Sequence, residues 1–153
     1  MPTSSQAARF VMKTVTRSLA WTGLLRPPLS LGQRGEKAAA RYLRRQGYRV
    51  LARNIRSKLG ELDLIVLDGR TIVFVEVKTR VHHEAGLPAE AIDSDKQRRL
   101  TRLALHYLRR HRLLEQSARF DVVAVTWPQS SQRPSIKHYM NAFPAFGQGQ
   151  MFS

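Results

Sequence analysis

Three charged residues interrupt two of the most apolar stretches of this sequence. Asp63 stands within Leu62 to Leu67, and Glu76 and Lys78 stand at the end of Ile72 to Val77. The two runs flank Asp68-Gly69-Arg70-Thr71, and an Asp-Gly pair between β-branched runs predicts a hairpin. Side chains alternate along a strand, so Glu76 and Lys78 share one face while Val73, Val75 and Val77 share the other. A two-residue Asp68-Gly69 loop would set Asp63 opposite Phe74 and diagonal to Glu76. A four-residue loop, Asp68 to Thr71, would set Asp63 directly opposite Glu76. Either register puts the three charges on one face. A solvated hairpin with a cross-strand salt bridge would account for such a trio. However, Ile72 to Val75 is apolar on both faces, as in a strand covered on both sides. Carboxylates at the end of such a strand are costly unless paired or bound to a metal. Hard cations take one or two carboxylates plus waters and substrate phosphates, so Asp63 and Glu76 are candidate ligands for Mg²⁺ or Mn²⁺. Hydrolysis of a phosphodiester also needs a held water and charge neutralised on the phosphate, a role for Lys78.

The arrangement Asp63 … Glu76-Val77-Lys78 resembles the core motif of the PD-(D/E)xK nuclease superfamily, an acidic residue on a hairpin's first strand followed by Glu-x-Lys on the second. The segments GELDLI, VFVEVKTR, DKQRRL, RFDVV and NAF together resemble the YraN-like family of uncharacterised proteins, similar in fold to archaeal Holliday-junction resolvases. The resemblance spans Gly32 to Phe146, and Leu62 stands where the superfamily often has proline. It implies an α/β, restriction-endonuclease-like fold with a mixed central sheet flanked by helices. It also implies metal-dependent cleavage of DNA, including branched repair or recombination intermediates, and a homodimer where cuts are paired. In such nucleases a first-helix glutamate reaches the metal directly or through water, which points to Glu36. A Lys-Gln pair abuts the site, which points to Lys96 and Gln97.

The elements that must position these groups are legible in outline. Gly35 to Gln46 reads as a helix closed by Gly47, with Glu36, Ala39, Ala40 and Leu43 on one stripe. Glu36 on that stripe is either favoured there by the helix dipole or part of the metal site. Lys37, Arg41, Arg44 and Arg45 take the outer face. Tyr48 to Arg56 reads as a strand leading into the hairpin. Ser94 to Leu114 reads as the second helix, since Leu100, Leu103, Ala104, Tyr107 and Leu108 form one stripe with Arg98, Arg99 and Arg102 off it. Ser94-x-x-Gln97 matches a capping box, which gives Gln97 a structural use. Gln97 also lies at the helix end nearest the catalytic strands. Thr79 and Arg80 are placed to contact a substrate phosphate. His82-His83-Glu84 reads as solvated loop more readily than as a metal site. Arg119 to Trp127 is a valine-rich interior strand in which Asp121 anchors neighbouring backbone or arginine groups, and Ile136 to Phe143 is the last strand.

Composition bounds the rest. The 153 residues include 26 Lys and Arg against 11 Asp and Glu, a formal charge of +15, and no Cys. That charge fits a polyanionic partner, and arginine suits bidentate phosphate contact; a basic surface of the ribosome-associated kind is the other reading. The lack of cysteine excludes disulfides, thiolate zinc sites and iron–sulfur clusters. No apolar run has the length of a membrane span or the uninterrupted core of a signal peptide, so a cytoplasmic location is expected. One domain is expected over residues 31–146, with a basic extension at 1–30 and a tail at 147–153. The extension carries Arg9, Lys13, Arg17 and Arg26 with no acidic residue. It reads as a disordered arm, a start site placed too far upstream, an organellar transit peptide, or an amphipathic helix built on Val11, Val15 and Leu19. Two functions are compatible with the whole: a divalent-metal-dependent DNA endonuclease using Asp63, Glu76 and Lys78 with help from Gln97 and Glu36, or a nucleic-acid-binding or adaptor protein on the same fold.

Overall fold

A computed structural model of the chain describes residues 27–81, 92–128 and 132–147. The chain divides into two units, Met1–Ser30 and Leu31–Ser153, and the elements below belong to the second. The Val11, Val15 and Leu19 pattern, the His82-His83-Glu84 segment and residues 148–153 lie outside the described residues. Helix α1 is Leu31–Arg45, strands β1, β2 and β3 are Arg49–Ser57, Gly60–Asp68 and Thr71–Arg80, helix α2 is Ser94–Arg110, and β4 and β5 are Ala118–Thr126 and Ser135–Phe143. The strands lie in the order β1-β2-β3-β4-β5. All neighbours are antiparallel except β3 and β4, which run parallel from Ile72–Ala118 to Arg80–Thr126. A parallel pair needs a crossover connection, and α2 lies in it. The result is the expected α/β architecture, a mixed sheet with two helices, consistent with a restriction-endonuclease-like fold. Among the described residues, no helix is long and apolar enough to cross a membrane.

Strand alternation divides the core into two layers. On one face Ala39, Ala40 and Leu43 of α1 pack on Leu64, Val66, Val73, Val75, Val123 and Val125. On the other, Leu100, Leu103, Ala104 and Leu108 of α2 pack on Ile65, Phe74, Phe120 and Val122. Phe120 stacks on Phe143 of β5, with ring centroids 4.8 Å apart, which ties the edge strand to the α2 layer. Residues Ile72 to Val75 are buried throughout, as their two-sided apolar character requires.

The β2–β3 turn is shorter than a four-residue loop yet gives the same register. Asp68 pairs with Thr71 and Leu64 with Val75, leaving Gly69-Arg70 as the turn, with Gly69 at φ 57°. Glycine at the first central position is what such a primed turn demands. Continued one pair past Leu64–Val75, this register brings Asp63 level with Glu76.

Helix α1 starts at Leu31, one turn earlier than expected, so Gly35 lies inside the helix. It is there because of contact: a Cβ on Gly35 would lie 1.8 Å from Thr79 Oγ1 of β3. Helix α2 is capped by Asp93, whose Oδ1 accepts from Lys96 N at 2.7 Å; the cap therefore lies one residue before Ser94, and with Lys96 at the third helical position it is a single side-chain cap in place of the expected capping box. The helix also stops before the expected Leu114. Arg112 takes φ 56°, Leu113 N donates to Leu108 O at 2.8 Å and Arg112 N to Arg109 O at 3.2 Å, a Schellman stop with arginine where glycine is usual.

Candidate active site

The β2–β3 ladder ends at Leu64–Val75, and beyond it the backbone N–H of Val77 donates to Asp63 Oδ2 at 2.8 Å. Asp63 is thereby fixed beside Glu76. Only that one hydrogen bond reaches its carboxylate among the described residues. Burial first, and then the Glu76 carboxylate, push its pKa up to about 7. Glu76 is itself buried. Its Oε1 receives two ammonium groups: Lys78 Nζ at 3.5 Å from the same strand, and Lys96 Nζ in direct contact from the first turn of α2. Burial and the neighbouring Lys96 lower the pKa of Lys78. Burial opposes the charge of Lys96, but the contact with Glu76 outweighs it and raises that pKa.

Glu36 approaches from the opposite face of the sheet. Its carboxyl bonds the side chain of Asn54 and has a raised pKa, chiefly through burial, and its charge is felt at Asp63. Two backbone features allow this. Gly35 lets α1 press onto Thr79, and Asn54 adopts φ 51° within β1, a left-handed conformation that asparagine tolerates better than most residues. The two carboxyls with raised pKa thus interact through charge near the end of β3, against which Gly35 of α1 and Lys96 of α2 are placed. Gln97 is placed differently. Its Nε2 donates to Ile92 O at 2.9 Å, holding the segment that enters α2, and among the described residues it bonds none of Asp63, Glu76 or Lys78.

A groove of about 430 Å³ opens on Asp63 and Glu76 and is walled by Lys58, Gly60, Lys96 and Arg99. The stem of Arg99 lies over Gly60, whose φ of 134° suits glycine alone. A second cavity of about 750 Å³ adjoins it, lined by Lys96, Arg98, Arg99, Arg102, Asp93 and Asp95. Arg99 lines the groove with the carboxylates, and Arg98 and Arg102 line the adjoining cavity, whereas Arg41, Arg44 and Arg45, all exposed, lie on later turns of α1. At 1.5 Å per residue, Arg44 is roughly 12 Å along the helix from Glu36. Arg80 is half-buried at the end of β3. The arginines therefore form two groups on helices that cover opposite faces of the sheet, and of these six Arg99, from α2, lines the groove of Asp63 and Glu76.

The profile of the uncharacterised protein family UPF0102 matches residues 35–125, from the Thr79-facing glycine through β4. The chain belongs to UPF0102. A UPF0102 protein of Rhodopirellula baltica is 52% identical over 120 residues, 76% of this chain and 72% of that protein. One from Geobacter metallireducens is 48% identical over 114 residues, 74% of this chain and 92% of that protein. One from Symbiobacterium thermophilum is 49% identical over 115 residues, with 75% and 97% covered. The matched UPF0102 segment contains Glu36, Asp63, Glu76, Lys78 and Lys96 alike.

The donor set of this UPF0102 site fits a hard divalent cation. Two carboxylates from adjacent strands face one groove, and Asp63 is half-buried beside a second acid with one N–H donor to its carboxylate, an arrangement in which a cation would stabilise the ionised form. Among the described residues, no three His, Cys, Asp or Glu side chains cluster as a preformed metal cage. A second buried carboxylate shows the contrast. Asp121 of β4 is fully buried, and it meets Arg119 Nε and Nη2 at 3.0 and 3.2 Å, Asn141 N at 2.8 Å and His138 Nε2 at 2.8 Å. Arg119 continues to Asp68 at 2.9 Å. Burial opposes the charge of Asp121, but these partners outweigh it and lower its pKa. Asp121 thus anchors arginine and backbone, as its place in the sequence suggested. Asn54 and His138 are the groups whose parts the sequence least foretold.

Proposed function

We propose that this protein is a divalent-metal-dependent endonuclease acting on DNA. The observation that carries the reading is the pairing of Asp63 with Glu76 beside Lys78, at the floor of a groove that adjoins the Arg98, Arg99 and Arg102 surface. Asp63 and Glu76 would hold Mg²⁺ or Mn²⁺. Such an ion supplies charge neutralisation at the phosphate and acidifies water. Lys78 holds an N–H donor beside Glu76, where it orients the attacking water and stabilises charge developing on the phosphate. Val77 N–H fixes the Asp63 carboxylate so that its second oxygen is presented without reorganisation. Glu36, whose charge is felt at Asp63 and whose pKa burial raises, would exchange a proton through water. The α2 arginines hold the phosphate backbone, which positions the substrate without reading bases. Such contacts respond to bends and junctions, so branched DNA is the substrate class that fits best.

The contact of Lys96 with Glu76 favours a second reading, in which the acids are already neutralised and the protein binds nucleic acid without cutting it. A cleavage assay on four-way junctions, flaps and linear duplexes, in Mg²⁺, Mn²⁺ and excess EDTA, separates the two. The Lys78→Ala protein serves as control for contaminating nuclease. The endonuclease reading predicts metal-dependent cuts that Lys78→Ala abolishes. Binding without cleavage on every substrate, or cleavage that survives EDTA, contradicts it.

A further inference from the structure

Two cations on one glutamate oxygen are one more than Glu76 requires. Lys78 is bound to that position by its place on β3, two residues away on the same face. Lys96 comes from another element, and its four-carbon stem spans a boundary. It lines both the groove that holds Asp63 and Glu76 and the adjoining cavity that holds Arg98, Arg99 and Arg102. In that second cavity Asp93 and Asp95 offer other carboxylates, and a bound nucleic acid would offer phosphates. Lysine is a compact charge on a flexible stem, suited to exchange between partners rather than to one fixed bidentate geometry.

Charge counting shows what this position does. With Asp63 ionised, as cation binding requires, Asp63 and Glu76 bring two negative charges, and Lys78 and Lys96 bring two positive charges. Adding a divalent ion to the same four groups leaves an excess of two positive charges in a partly buried space, which is unfavourable at low effective dielectric. Withdrawing Lys96 removes half of that excess. It also frees Glu76 Oε1 from a direct contact.

We infer that Lys96 is a displaceable counter-ion, holding the cation position on Glu76 in the metal-free protein and leaving it for the α2 cavity when a divalent ion binds. The inference rests on the metal-site reading of Asp63 and Glu76. It makes Lys96 a positioning residue that sets metal affinity, not a ligand. Because substrate phosphates in the α2 cavity draw the same ammonium away, nucleic acid and metal each tighten the binding of the other; such linkage is reciprocal.

The test is Mn²⁺ binding to the full-length, metal-free protein, measured by calorimetry or by loss of the free-ion paramagnetic signal, with no cleavage readout. Lys96→Met should bind Mn²⁺ about tenfold more tightly than wild type or better. Its melting temperature should be lower without metal and rise further on adding Mn²⁺. Lys96→Arg, which keeps the charge, should stay near wild type. Arg99→Met, which removes a neighbouring charge that does not touch Glu76, should change the affinity far less. A circular-dichroism spectrum confirms that each variant is folded. Equal affinities for wild type and Lys96→Met, with clear binding in both, overturn this inference and leave the metal site standing. Absence of Mn²⁺ binding in every variant overturns both. An Arg99→Met gain as large as that of Lys96→Met also overturns it, since the effect would then belong to the surface charge at large.

Discussion

Asp63 and Asp121 lie on the strands to either side of β3, the first half-buried at a groove and the second fully buried, and the fold treats them in opposite ways. Asp121 is met by Arg119, His138 and a backbone N–H, so its charge is favoured in the folded chain. Asp63 has one N–H and a glutamate beside it, so its charge is penalised. A carboxylate that holds strands together is given as many donors as it can accept. Asp63, short of donors at the edge of a groove, has the kind of perturbed pKa that functional sites carry.

The largest expected effect follows from breaking the saturated side. Asp121→Ala leaves Arg119 without its buried partner and β5 without two of its ties, and should cost about 3–5 kcal/mol, read from the urea midpoint. Asp63→Ala should leave the midpoint unchanged or raise it while abolishing cleavage. An equal loss of stability in the two variants would erase the distinction. Next, Gly35→Ala drives a methyl into Thr79, at a cost of about 1–3 kcal/mol. Shifting α1 off β3 also moves Glu36 from the site, so cleavage should fall further than the change in folded fraction explains.

The titrations sharpen the comparison further. Between the ordinary aspartate value of 3.8 and about 7, folded Asp63 retains a proton that the unfolded chain has lost. Stability of the metal-free protein therefore falls as pH rises across that window. Subtracting the profile of Asp63→Asn isolates this slope, and a flat difference from pH 4 to 7 would contradict it. Asp121 has the opposite sign: its contribution is present above 3.8 and lost as pH falls through its lowered folded value. The smallest effect separates the arginines. Arg98→Ala, Arg99→Ala and Arg102→Ala should each weaken DNA binding and reduce its salt slope by about 0.9 for every phosphate that is no longer neutralised. Arg41→Ala, Arg44→Ala and Arg45→Ala, on the α1 side, should do so less; equal reductions would make both helices part of the footprint.

Legibility in the sequence followed the same division between local and tertiary causes. Strand positions and the single-faced trio were readable because alternation and the Asp-Gly turn are local. The end of α1 was readable because Gly47 takes φ 92° at the Schellman position. The end of α2 was not, since Arg112 fills the same role without glycine's signature. Gly35 reads as a helix start until Thr79 is seen against it, and Asn54 as an ordinary strand residue until its φ is known. Gln97 carried a plausible chemical assignment, yet Ile92 O claims its amide nitrogen. Lys96 stood one residue away. The Lys-Gln pair pointed to both residues; which of them reaches Glu76 depends on the rotation of α2 about its axis, set by the packing of Leu100, Leu103 and Ala104.

The central claim is that Asp63 and Glu76 hold a divalent cation and Asp121 does not. Crystals of the wild-type protein soaked in millimolar Mn²⁺ allow the ion to be located in an anomalous difference map. The account predicts one peak within about 2 Å of oxygens from both Asp63 and Glu76, with Lys96 Nζ withdrawn from Glu76 and the Asp121 cluster unchanged. A map with no peak at those carboxylates, or with the ion bound elsewhere on the domain, would contradict it.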